Sequence, residues 1–132
     1  MLSITEPYAT LIRNGIKMVE TRSWKTNYRG ELLIHASSTR IPKEYKKNIE
    51  LMGLIDINDL HFGQIVCKGI LVDCIEMTNE FIKDVKENHP IEYLCGFYEK
   101  GRYAWVLADV HPISGIKAKG SLGLWNYNKT II

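Results

Sequence analysis

The chain has 132 residues, of which 45% are apolar and 24% charged, with a formal net charge of +2. Those values fit one globular domain able to bury a core, and they exclude a disordered or disulfide-stapled chain. No apolar run approaches the ~20 residues of a bilayer-spanning helix. The start, Met1 to Pro7, lacks the basic and apolar stretches of a secretory signal, so a single cytosolic domain over residues 1–132 is expected, with no membrane contact.

Taken in chain order, Leu2 to Ile4 is strand-like. Thr5 or Glu6 is placed to cap a helix with Pro7 in its first turn, Tyr8, Leu11 and Ile12 on its apolar face, and Gly15 as its stop. Residues 18–22 are extended, because Val19 and Thr21 favour strand backbone. Gly30 to Ser37 is strand-like, and Pro42 to Met52 is predicted as helical. Gly63 to Met77 is the strongest strand signal. It is apolar on both faces, with Gly69 marking a bulge or bend. A short helix follows over Asn79 to Glu87, then a strand over Tyr103 to Val110 that continues or turns toward Ser114. Residues 119–127 are glycine-rich and end in aromatic residues. Several strands, two or three helices and bend-making glycines predict an α+β fold with a small curled sheet or barrel.

The chemistry concentrates in Gly15-Ile16-Lys17-Met18-Val19-Glu20-Thr21-Arg22, where a helix hands over to a strand. Side chains alternate along a strand, so Glu20 and Arg22 point to one side, with Lys17 at the turn before them. Trp24, Tyr28 and Arg29 follow in the connection to the next strand. Aromatic and guanidinium faces there can stack a base and hold a phosphate, or Trp24 can cap the core. Lys119, Gly120 and Gly123 combine a cation with close backbone approach, which suits a phosphate, although no P-loop pattern is present. His35 and Ser37 share one strand face without a third triad member. The three cysteines form no CxxC pair and the four histidines are scattered, so no metal or cofactor site is expected.

Charge is unevenly spread. Residues 1–47 carry nine Lys/Arg against four Asp/Glu, residues 48–100 four against ten, and residues 101–132 four against one. If the two basic ends meet in space, they form a face suited to a phosphate-bearing ligand.

Leu2-Ser3-Ile4 with Pro7-Tyr8-Ala9, then Gly15-Ile16-Lys17 with Glu20 and Arg22, then Tyr28-Arg29-Gly30 and Leu33-Ile34-His35-Ala36-Ser37, form an ordered set of blocks. Tyr103-Ala104-Trp105-Val106-Leu107, Lys119-Gly120 and Gly123-Leu124-Trp125 extend it. The set resembles the ASCH (activating signal cointegrator homology) domain of the PUA-like superfamily over nearly the whole chain. The resemblance implies a PUA-like β-barrel with helices around a cleft, and a role in binding or processing RNA. In amidohydrolase relatives that act on acetylated cytidine, the working residues are a lysine, a threonine three positions later and a glutamate on a later strand. Lys17 matches the lysine, but Glu20 stands at the threonine position, with Thr21 one place along. Glu76, or next Asp73, would supply the later carboxylate.

Three function classes follow. In the first, the cleft binds RNA or a nucleotide-like ligand through Lys17, Glu20, Arg22, Trp24, Tyr28, Arg29, Lys119 and Gly120. In the second, a small metal-independent amidohydrolase or ribonuclease uses Lys17 with Glu20 or Glu76 as catalytic residues. A protein-interaction adaptor, drawing on the acidic middle segment, is a third.

Overall fold

A computed structural model describes residues 1–120, 123 and 124. Within the glycine-rich stretch 119–127, residues 121, 122 and 125–127, Trp125 among them, lie outside the described residues. Five strands form one sheet: β1 (Leu2–Ile4), β2 (Val19–Arg22), β3 (Gly30–Ala36), β4 (Gln64–Glu76) and β5 (Tyr103–Lys117). The spatial order is β1-β3-β4-β5-β2, with β1 parallel to β3 and every other pairing antiparallel. β4 and β5 dominate, and β5 runs seven residues past Val110.

Three register shifts between β4 and β5, at Ile65/Cys67, Lys68/Ile70 and Leu71/Asp73, coil this long ribbon. Gly69 lies at the middle one. A methyl group there would sit 3.1 Å from Val110 Cγ2 and 3.4 Å from the Ala108 carbonyl oxygen, so the strands can approach only over a glycine.

Helix α1 (Tyr8–Arg13) packs against β3, β4 and β5, and its residues Tyr8 to Ile12 are all buried. It joins Leu2, Ile34, Leu71 and Trp105 in the core. Pro7 precedes its first turn, but neither Thr5 nor Glu6 caps it in the expected way. The fully buried Glu6 carboxylate instead accepts from Thr10 N at 2.8 Å, from Thr10 Oγ1 at 2.6 Å and from His61 N at 2.8 Å. That carboxylate ties the helix to a loop fifty-five residues away. Gly15 ends the helix with φ 76°, and the Ile16 and Lys17 amides both donate to Leu11 O.

The helix expected over Pro42 to Met52 is two helices, α2 (Lys43–Lys46) and α3 (Ile49–Met52). Asn48 divides them: its backbone is extended, and its side chain accepts from Leu51 N at 3.0 Å, starting a new helix. After β4 come α4 (Asn79–Asn88), capped by Thr78, and α5 (Pro90–Leu94), which the sequence reading did not identify. No helix among the described residues is long and apolar enough to cross a membrane.

The fold is α+β as expected, but the five-stranded sheet is open and does not close into a barrel. Its two edge strands are only three and four residues long, and among the described residues no backbone pairing joins them. The outer edge of β1 is met at Leu2 by Leu124 in an isolated antiparallel bridge. Across the gap between β1 and β2, the link is a side chain: Arg22 Nη2 donates to Ser3 O at 2.8 Å.

Candidate functional site

That gap is a cleft with two lobes. The first, about 270 Å³, is lined by Ser3 to Thr5 of one edge, Glu20 to Trp24 of the other, and by Tyr8, Tyr45, Cys95 to Phe97 and Arg102. The second, about 520 Å³, is lined by Ser3, Thr5, Arg22, His35, Ser37 to Thr39, Lys119, Gly120 and Gly123. Ser3, Thr5 and Arg22 belong to both lobes.

The Gly15–Arg22 stretch builds the floor. Lys17 is fully buried, and its ammonium donates to the carbonyls of Val19 and Cys95 while lying 3.6 Å from Glu20 Oε1. Two hydrogen bonds and one ion pair thus engage the ammonium. The Tyr8 ring centroid is 5.2 Å away. Lys17 therefore faces inward and is absent from both lobe linings.

Glu20, 7% exposed, takes a second cation on its other oxygen, with Arg22 Nη2 at 3.0 Å from Oε2. A carboxylate removed from water needs such pairing. Of the two cations paired with Glu20, Arg22 is the one that reaches the cleft. Among the described residues its buried Nε has no hydrogen-bond partner. The order is thus Lys17 to Glu20 to Arg22, from core to cleft.

Aromatic rings wall the first lobe. Tyr8 and Tyr45 meet edge to face at 5.2 Å, and Phe97 lies 6.2 Å from Tyr8 and 5.8 Å from Tyr45. At the mouth, Trp24 is 36% exposed and crosses Trp105 at 4.7 Å and 82°. It therefore both covers the core and faces the cleft. Arg102 is held by Phe97 O at 2.9 Å and Thr21 O at 3.4 Å, with its guanidinium over the Phe97 ring at 5.9 Å.

Burial raises the Tyr8 and Tyr45 phenols above their ordinary range, aided by nearby acidic groups including Glu20. Burial also pushes the Cys95 thiol to about 11, against the opposing pull of Lys17. Burial thus disfavours the thiolate, the nucleophilic form, at this wall of the cleft.

In the second lobe His35 pairs with Ser3, its cross-strand neighbour, rather than with Ser37. His35 Nε2 lies 2.6 Å from Ala118 O, which can only accept, so Nε2 donates there, while Nδ1 and Ser3 Oγ share a hydrogen bond at 2.9 Å. This bond fastens the chain before Gly120 over the lobe. A methyl group on Gly120 would lie 2.8 Å from both Ser3 Oγ and His35 Cε1, so only glycine fits. Lys119 is exposed at the rim.

Of the residues expected at the site, Glu20, Arg22, Trp24, Lys119 and Gly120 line the cleft, and Lys17 supports it from below. Tyr28, Arg29 and Glu76 line neither lobe. Tyr28 is 44% exposed and donates to Glu31 O. Arg29 turns back to Thr26 O at 3.1 Å and Tyr28 O at 2.8 Å, with Asp73 at 3.7 Å. Glu76, at the end of β4, accepts from the Tyr103 hydroxyl at 3.2 Å. The sequence reading did not single out Ser3, Thr5, Tyr45, Phe97 or Arg102. Alternation from Ser3 to Thr5 was a usable signal; nothing local marks Phe97 or Arg102.

The model of the ASCH domain matches residues 2–117. The chain belongs to the ASCH domain family. It is 34% identical over 91 residues to human Activating signal cointegrator 1, covering 67% of this chain and 16% of that protein. The mouse protein of the same name is 36% identical over 79 residues, covering 59% of this chain and 14% of its own length. The chain thus corresponds to about a sixth of these curated relatives. The matched span holds every cleft residue named above except those after residue 117, so the Lys17–Glu20–Arg22 relay lies wholly within the ASCH domain.

Proposed function

We propose that this ASCH domain binds RNA, or a nucleotide unit of it, with a base in the first lobe and a phosphate in the second. The observation that carries the reading is Arg22, shared by an aromatic lobe and a lobe rich in hydroxyls with Lys119 at its rim. Aromatic walls suit a base, whose stacking is worth ~1–3 kcal/mol. Arg22 and Lys119 suit phosphate oxygens, and the Ser37, Ser38 and Thr39 hydroxyls add donors. Glu20 orients Arg22 and offers oxygens to an amino or imino group on a base edge. Lys17 acts as a positioning residue.

Binding is favoured over hydrolysis because the buried Lys17 ammonium is held by two carbonyls and paired with Glu20, and Glu76 lines neither lobe. The test is titration of the protein with single-stranded RNA and with nucleoside monophosphates across a salt series. Affinity that falls as salt rises supports the reading; no binding at low salt ends it. Incubation with N4-acetylcytidine and with single-stranded RNA tests the alternative. Turnover lost in Lys17→Ala with the fold intact would move the function to a hydrolase.

A further inference from the structure

A third hollow, about 440 Å³, adjoins the second lobe: Ser38 lines both. Its apolar wall includes Ile57, 60% exposed, and Phe62, 40% exposed, while Arg40 and Lys46 stand beside them. Helix α2 connects it to the first lobe as well, since Tyr45 lines that lobe and the next residue, Lys46, lines the hollow. The segment Arg40-Ile41-Pro42-Lys43-Glu44-Tyr45-Lys46-Lys47 carries four cations against one carboxylate. Among the described residues none of these four cations forms an ion pair. Of the acids close by in sequence, Asp56 accepts from Asn58 N at 2.9 Å, Asp59 lies 3.8 Å from His61, and neither pairs with the four cations.

Unpaired cations around a half-exposed aromatic ring, next to a lobe suited to phosphate, make a surface for a polyanion whose units carry flat rings. We infer that the hollow is a second nucleotide subsite. The ligand is then a single-stranded RNA running from the first lobe through the second to Phe62, not a free nucleotide. A second base stacks on Phe62, and Arg40 and Lys46 hold its flanking phosphates. This inference rests on the cleft reading above and adds to it the length and path of the ligand.

The experiment compares a labelled mixed-sequence hexaribonucleotide with the four nucleoside 5′-monophosphates at low salt. The proteins are the wild-type chain, Phe62→Ala and Arg40→Ala/Lys46→Ala. All three substituted side chains are exposed, and circular dichroism checks the fold. The hexamer is expected to bind at least about tenfold more tightly than the best monophosphate, and each variant to lose about tenfold for the hexamer while keeping its monophosphate affinity. The double variant also reduces the salt slope by about 1.4, two single-strand phosphate contacts. Equal affinity for hexamer and monophosphate overturns the inference but spares the cleft reading. Unchanged hexamer affinity in the variants also overturns it and leaves the hollow to a protein partner. If no ligand binds the wild type, the cleft reading fails and this inference falls with it.

Discussion

Arg22 on one edge strand donates to the Ser3 carbonyl on the other at 2.8 Å, and this bond spans a sheet that does not close through its backbone. The same guanidinium lies 3.0 Å from Glu20. Replacing it with alanine is expected to weaken nucleotide binding by about tenfold or more and to cost about 1–3 kcal/mol of stability, since a buried carboxylate loses a partner. Arg22→Lys keeps the charge but not the two-pronged geometry, and should recover only part of the binding. Ligand titration paired with thermal melting separates the two effects.

Lys17 is predicted to matter for stability first. Lys17→Met keeps most of the volume but leaves two buried carbonyls without their lysine donor and removes one of the two cations paired with Glu20. A loss of about 3–5 kcal/mol is expected, or a melting temperature lower by ~10 °C or more. A variant that melts like the wild type and loses only ligand affinity would contradict the supporting role given to this lysine.

Glu92 provides a pH-dependent test. Its Oε1 accepts from the Met18 amide, directly behind the cleft floor, while among the described residues Oε2 is buried with no partner. Burial raises its carboxyl above the ordinary 4.5, against weaker opposing pulls from the Met18 amide and Lys17. A raised carboxyl favours the protonated folded state. Its penalty is therefore absent below the unfolded value and fully present above the folded one. Glu92→Gln keeps an acceptor for Met18 and removes the charge. It should melt higher than wild type at neutral pH, with the gap shrinking as pH falls toward 4 and below. A gap independent of pH would show that ionisation of Glu92 is not its cause.

Gly120→Ala should act on the second lobe. The added methyl group collides with Ser3 Oγ and His35 Cε1 at 2.8 Å, so the 118–120 segment must lift and the His35 bond to Ala118 must stretch. The expected loss is about 1–3 kcal/mol of stability, with phosphate-bearing ligands weakened more than the bare nucleoside. Comparing a nucleoside with its monophosphate on both proteins tests this; equal loss for the two would place the phosphate elsewhere.

Trp24→Ala tests the first lobe. The ring covers Trp105 and also stands at the cleft mouth, so the variant should lose both stability and base affinity. The affinity loss is expected at about fivefold or more, corresponding to a stacking contribution of ~1–3 kcal/mol. A variant with lower melting temperature and unchanged affinity would mean that Trp24 serves the core alone.

The sequence by itself determined the elements whose signals are local. Gly15 stops α1 because φ 76° suits glycine, strand alternation sets Glu20 beside Arg22, and Gly69 marks the bend of the long ribbon. It also carried the family, through the order of its short blocks. The division of Pro42–Met52 was harder to read, because one Asn48 side chain decides between continuing a helix and restarting it.

Only the tertiary structure decided which charges face the cleft. Lys17 and Arg22 flank Glu20 as equivalent cations in the sequence. The Cys95 carbonyl, 78 positions away, draws Lys17 into the core, and the Ser3 carbonyl draws Arg22 across the gap. Arg29 and Glu76 found partners closer to hand and stayed outside the cleft. Phe97 and Arg102 reached it from far along the chain. The physical reason is that period and turn chemistry act over a few residues, whereas buried charges are placed by whichever acceptors long-range strand pairing brings within reach.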